Sequence, residues 1–90
     1  SPFRLCHQIS DSEYEFLTRS IREILRKAIK AGGSSLKDFK NVGGDLGYFQ
    51  NNFSVYAQEG NLCKRAKCGS TIRRFTQGGR STFFCNKCQC

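Results

Sequence analysis

The sharpest chemistry in this 90-residue chain belongs to its cysteines, six in all. Four form two close pairs, Cys63-x4-Cys68 and Cys85-x2-Cys88, with sixteen residues between the pairs. That spacing lets four thiolates converge on one tetrahedral ion, so it predicts a single structural Zn2+ held by Cys63, Cys68, Cys85 and Cys88. Gly69, directly after the first pair, suits a tight knuckle that turns amides toward metal-bound sulfur. The competing chemistry is a disulfide framework. A chain of this length is short of a comfortable hydrophobic core, so metal or cross-links are expected in any case. Ser1 to Ser10 shows no basic start followed by an apolar run, which argues against a secretory leader and hence for the metal. The absence of methionine marks the chain as part of something longer. Cys6 and His7 are adjacent in sequence, which is not the spatial pairing that nucleophilic catalysis needs; they read as a buried thiol beside a surface imidazole. Cys90 reads as a free C-terminal thiol.

Charge singles out the same segment. Up to Leu62 there are eight Lys and Arg against seven Asp and Glu; from Cys63 onward there are seven Lys and Arg and no acid. Four thiolates on one Zn2+ contribute about −2, leaving the segment near +5. Such density on a small folded unit points to a polyanion, above all nucleic acid. The plainer reading is a solvated surface kept soluble by its charge. No stretch approaches the apolar length of a membrane span.

The elements that must position these groups follow from local pattern. Ser10 with Glu13 three residues on fits a capping box, and Tyr14, Leu17, Ile21, Ile24, Leu25, Ala28 and Ile29 recur at helical spacing. A helix from Asp11 to Ala31 results, stopped by Gly32-Gly33. Its opposite face carries Arg19, Arg22, Arg26 and Lys30, with Glu15 and Glu23 placed to pair with Arg19 and Lys27. Between Ser34 and Asn52 the sequence breaks into glycines and short apolar islands, a loop whose bare amides can approach a ligand closely; it lacks the lysine and helix start of a phosphate-binding Walker loop. Phe53, Val55 and Ala57 alternate with polar residues as in a short strand. Ser70–Gln77 and Ser81–Phe84 read as two strands joined at Gly78-Gly79. Arg80 then stands just past the turn, where a planar guanidinium can grip phosphate. Arg73 and Arg74 lie on the opposite strand on its two faces, and at least one is expected to meet the same polyanion. Phe75, Phe83 and Phe84 are expected to pack the hairpin rather than stack on bases. The fold class expected is therefore α+β: a helical segment followed by a β-hairpin zinc finger.

Gly78-Gly79-Arg80-Ser81-Thr82-Phe83-Phe84-Cys85, closing with Cys88-Gln89, resembles the C-terminal zinc finger of the formamidopyrimidine-DNA glycosylase family of bacterial base-excision repair. Gly32-Gly33, Leu36-Lys37-Asp38-Phe39, Gly47-Tyr48-Phe49-Gln50 and Phe53-Ser54-Val55-Tyr56 are similar to the family's segment before the finger, so the resemblance covers essentially the whole chain. It departs at the first cysteine pair, which is usually C-x2-C in the family. The resemblance implies three regions: 1–33, the C-terminal part of the helix-two-turn-helix domain; 34–57, a lesion-lid loop and connecting strand; and 58–90, the finger. It implies excision of oxidised purines such as 8-oxoguanine and formamidopyrimidines, followed by strand cleavage, by a cytoplasmic bacterial monomer acting on damaged double-stranded DNA. The family's N-terminal proline nucleophile, following glutamate and lysine have no counterparts here, Pro2 lying after a serine in the wrong region, so the chain alone is expected to be inactive. Arg80 matches the finger arginine given a catalytic proton-donor role. A guanidinium is a poor acid near neutrality, so phosphate clamping is its expected main role. Val42, Gly43, Gly44, Gly47 and Tyr48 fall in the loop that closes over the flipped base, where added contacts help offset the cost of unstacking.

Two other classes share some of these features. A zinc-ribbon module of a transcription or translation factor would share the ribbon and the charge, without needing the long helix or the glycine-rich loop. A secreted cationic disulfide protein would share only cysteine and charge.

Overall fold

A computed structural model describes residues 1–35, 43–44 and 46–90. The described elements are one α-helix, two short 3-10 turns at Cys6–Gln8 and Phe49–Asn52, and one two-stranded hairpin. They fall into two units, Cys6–Asn52 on one side and Ser1–Leu5 with Phe53–Cys90 on the other.

Helix α1 spans Asp11–Lys30. Its start is the expected capping box: Ser10 Oγ accepts from the Glu13 amide and the Glu13 carboxylate accepts from the Ser10 amide, which satisfies donors that the first turn leaves unpaired. Glu15–Arg19 at 3.3 Å and Glu23–Lys27 at 2.6 Å are the expected four-residue pairs. At the other end the chain turns at Ala31, and Gly33 donates back to Ala28 O at 2.8 Å with both glycines at positive φ. No residue of α1 is buried. Leu17, Ile21, Ile24 and Leu25 all stand open, and Ile29 is 77% exposed. Cys6, expected inside, is exposed as well: it lies in the 3-10 turn before the helix, where only its carbonyl is used, by the Tyr14 hydroxyl at 2.7 Å.

In the other unit, strand β1 (Arg73–Gln77) pairs antiparallel with β2 (Arg80–Phe84). Gly78 and Gly79, at φ +55 and +77, make the two-residue turn; positive φ at both positions is what a primed turn requires and matches strand twist. The expected first strand is split. Residues 70–72 do not join the hairpin but run against 61–63, through Cys63 N to Ser70 O, the Leu62–Thr71 bridge and Ile72 N to Asn61 O. Phe53–Ala57, expected to be extended, instead passes through bends and a turn, with Ala57 at φ +55. Phe53 and Val55 are still half-buried, with Val55 packed against the core of Cys68, Ile72 and Cys85, while Ala57 is exposed. Phe84 is buried and Phe75 and Phe83 half-buried, as expected of packing residues. Phe3 stacks on Phe75 at 4.6 Å and meets Phe84 edge-on at 5.4 Å.

Candidate metal centre and nucleic-acid interface

The core of the finger unit is built from sulfur. Ile72 and Cys85 are its most deeply buried side chains, and the four Sγ atoms of Cys63, Cys68, Cys85 and Cys88 all lie within 4.8 Å of one another. Individual separations are 3.4 Å for Cys68–Cys88, 3.6 Å for Cys68–Cys85 and 3.9 Å for Cys63–Cys88. A Zn–S bond near 2.3 Å gives tetrahedron edges of about 3.8 Å. The sulfurs therefore stand where a zinc ion needs them, and all six cysteines are unbridged. The wider C-x4-C knuckle does not spread the set.

Backbone amides complete the site. The Arg65 amide donates to Cys63, and the Cys88 and Lys87 amides donate to Cys85. Amide donors favour thiolate, and at Cys85 they prevail over burial, holding the thiol down at about 6. At Cys63 the Arg65 amide pulls the same way but burial and the neighbouring thiols outweigh it, so the group titrates above its ordinary value. Cys88, crowded first by Cys68 and then by burial, is pushed up to about 12. One thiolate among neighbours that resist ionising together is the electrostatic situation that a dication relieves. Around the sulfurs, the Cys85 amide donates to Gln89 Oε1 at 2.8 Å and Lys87 Nζ to Cys68 O at 2.8 Å. A cleft of about 400 Å³ opens over the half-buried Cys63 and Cys88, flanked by Lys64 and Arg65.

The hairpin register sorts the three arginines. Arg73 pairs with Phe84 and Gln77 with Arg80, and alternation along each strand then puts Arg73, Phe75, Arg80 and Phe84 on one face and Arg74 and Phe83 on the other. Arg80 is exposed beside the turn. Arg74 is committed elsewhere: its Nε donates to Ser81 Oγ at 2.9 Å and its Nη1 lies 3.6 Å from Glu59 Oε2. Sequence reasoning missed Glu59 and Ser81 as partners of Arg74, because Ser81 meets it only across the hairpin and Glu59 only through the fold.

In the other unit the structure separates the five expected lid residues. Val42 lies outside the described residues, and Gly43 and Gly44 are exposed. Gly47 and Tyr48 take part in a hydrogen-bonded neck. Gly47 is buried, its amide donating to Ser35 Oγ at 2.7 Å and its carbonyl accepting from Gln50 Nε2 at 3.0 Å. Gln50 Oε1 in turn accepts from the Ser35 amide, Tyr48 N reaches Ala31 O and Phe49 N reaches Gly33 O. Ser35 and Gln50 give no sequence signal of this role; only the meeting of two distant glycine segments creates it.

Comparison with known proteins covers both units. Residues 60–89 match the zinc finger found in FPG and IleRS. The formamidopyrimidine-DNA glycosylase of Ruegeria pomeroyi is 52% identical over 89 residues, taking in 99% of this chain and 31% of the relative. That of Bradyrhizobium diazoefficiens is 59% identical over 73 residues, 81% of this chain and 25% of the relative. Among solved structures, Lactococcus lactis Fpg in complex with an abasic site containing DNA superposes with a TM-score of 0.86 at 39% identity, over 99% of this chain and 32% of that one. The same protein with N7-benzyl-Fapy-dG containing DNA gives 0.84 at 39% identity, over 99% and 31%. The chain spans about a third of the length of the curated relatives it matches. Over 99% of its length the chain is thus similar to formamidopyrimidine-DNA glycosylases, with residues 60–89 carrying the match to the zinc finger found in FPG and IleRS.

Proposed function

We propose that this chain is the DNA-binding part of a bifunctional glycosylase and AP lyase that removes oxidised purines from double-stranded DNA, acting as a monomer in the bacterial cytoplasm. The observation that carries the reading is the hairpin register: it puts the exposed Arg80 at the tip and Arg73 on the same face, on a hairpin pinned by a zinc-shaped sulfur cluster. Four residue steps at about 3.3 Å put the two cations ~13 Å apart along the strand direction, roughly four phosphates of one strand measured along the duplex axis. A rigid hairpin presenting two guanidiniums that have no acidic partner among the described residues grips a sugar-phosphate strand without reading its bases. Arg74 contributes instead as a brace.

Zn2+ supplies structure alone, with Cys63, Cys68, Cys85 and Cys88 as its ligands and no open position for chemistry. Arg80 acts on the strand by holding phosphate. The exposed Gly43 and Gly44, carried on the pinned neck, offer amides to a base turned out of the stack; with Val42 they form the lid of this proposal. Similarity through residues 6–52 favours this reading over a free-standing zinc ribbon, which would not need them.

The test is binding of the zinc-loaded full-length protein to a duplex carrying an abasic-site analogue. Arg80→Gln and Arg73→Gln should each weaken binding and lower the salt dependence by about one phosphate contact, while Arg74→Gln should leave the salt dependence unchanged. Equal salt slopes for all three variants and the parent would overturn the assignment.

A further inference from the structure

The knuckle between Cys63 and Cys68 carries three cations in four positions, Lys64, Arg65 and Lys67, and the contact just proposed uses none of them. Its backbone is fixed. Cys63 N donates to Ser70 O at 2.8 Å and Cys68 N to Arg65 O at 3.2 Å, the Arg65 amide is held by Cys63 sulfur, and Lys67 occupies the left-handed region at φ +61. A non-glycine residue there costs about 1 kcal/mol and persists only where its surroundings impose it.

The cations divide into two kinds. Lys64 Nζ is turned to Phe53 O and Lys87 Nζ to Cys68 O, so these two lie against backbone next to the ligands and offset the charge of about −2 that a Zn2+ tetrathiolate carries. Arg65 and Lys67 are exposed and have no acidic partner among the described residues. Glu59, the one acid in this unit's sequence, is engaged by Arg74. Two cations are therefore in excess of what the metal site needs.

Their position relative to the hairpin tip follows from the pairing. Residues 70–72 run against 61–63, and 73–77 continue directly into the hairpin, so the knuckle and the Gly78-Gly79 turn cap opposite ends of one extended segment. Seven residue steps at ~3.3 Å separate the ends by about 23 Å, roughly two thirds of a B-DNA turn of ~34 Å.

We propose that Arg65 and Lys67 form a second, sequence-independent phosphate grip on the same duplex that Arg80 holds, an inference that rests on the DNA-binding reading above. A strand held at both ends of a rigid segment is fixed in direction as well as position, which a single contact at the tip does not achieve.

The experiment is equilibrium binding of the zinc-loaded full-length protein to an abasic-analogue duplex between 50 and 200 mM salt. Each phosphate contact contributes about 0.9 to the slope of log affinity against log salt. The Arg65→Gln/Lys67→Gln variant should therefore lose about 1.8 from the slope, making its affinity deficit about 12-fold larger at the low-salt end than at the high-salt end. The charge-preserving Arg65→Lys/Lys67→Arg variant should keep the parent slope. Zinc content of each variant separates loss of contact from loss of fold; if the double variant loses metal, the single Gln variants are read instead, each expected to lower the slope by about 0.9. An unchanged slope with zinc retained, while Arg80→Gln lowers its own, refutes the second grip and leaves the DNA reading standing. If Arg80→Gln changes nothing either, both fall.

Discussion

Gly47 faces the carbonyl of Gly33 so closely that a β-carbon on Gly47 would lie 2.2 Å from that oxygen and 2.5 Å from the carbonyl oxygen of Gly32. Both obstacles are backbone, which has no rotamer to yield. Gly47→Ala should therefore force the neck apart, at a cost of about 1–3 kcal/mol typical of overpacking, and release the Tyr48 and Phe49 amides. Hydrogen exchange at those two positions is the measurement. Protection equal to the parent would mean that the neck tolerates the methyl.

Ser10→Ala removes one half of the capping box and should lower helix stability by about 1 kcal/mol. Because α1 buries no residue within its own unit, tertiary packing does not mask the loss. Circular dichroism of the chain should show reduced helicity, and Ser10→Asp should restore it.

The Glu59–Arg74 pair is exposed on both sides, 55% and 47%. An ion pair so open to solvent contributes about 0–1 kcal/mol, so Glu59→Gln should barely move the unfolding midpoint. What it should change is order at the tip: with Arg74 released from one partner, the hairpin amides near Ser81 should gain motion detectable by NMR relaxation. A rigid tip in that variant would leave Ser81 alone as the brace.

Metal uptake should be linked to protons in a defined way. At pH 7.5 Cys85, held at about 6 by the Cys88 and Lys87 amides and the thiols around it, is already a thiolate in the metal-free fold. Cys88, pushed up to about 12, and Cys63, raised, still carry protons. Zinc must displace thiol protons as it gathers its ligands, those of Cys63 and Cys88 among them, so its affinity should rise with pH through this range and fall on acidification. For the metal-free fold the sign is opposite at the two groups. The depressed Cys85 stabilises above the unfolded-state thiol value and loses that contribution as pH falls through about 6, whereas the raised Cys88 stabilises below the unfolded value and loses its contribution as pH climbs toward about 12. An indicator-dye titration at pH 7.5 should record proton release on zinc uptake, and Cys88→Ser should reduce that release by about one proton.

What could be read in advance was local. Ser10 and Glu13 lie within one helical turn, Gly78 and Gly79 set their own turn, and the cysteine spacing carries its own geometric limits; each was legible because the determining atoms are close in sequence. The side-chain alternation of Arg73 and Arg74 was equally visible. Which of the two is braced was not, because that depends on Glu59 coming near from fifteen residues away, and no propensity encodes such a meeting. The same reason hid the neck, where Gly47 acquires meaning only against Gly33. The strand expected at Phe53–Ala57 failed for a related cause. Its alternation is real and Val55 does reach the core, but among the described residues no strand pairs with it, and the chain bends and turns with Ala57 at φ +55.

Phe3 and Phe75 touch although roughly seventy residues separate them, and the whole of Cys6–Asn52 is looped out between. Closing so long a loop costs on the order of 4 kcal/mol of chain entropy. The stacked rings must offset that entropy, which ties the position of the chain's first residues to the integrity of the hairpin they cover.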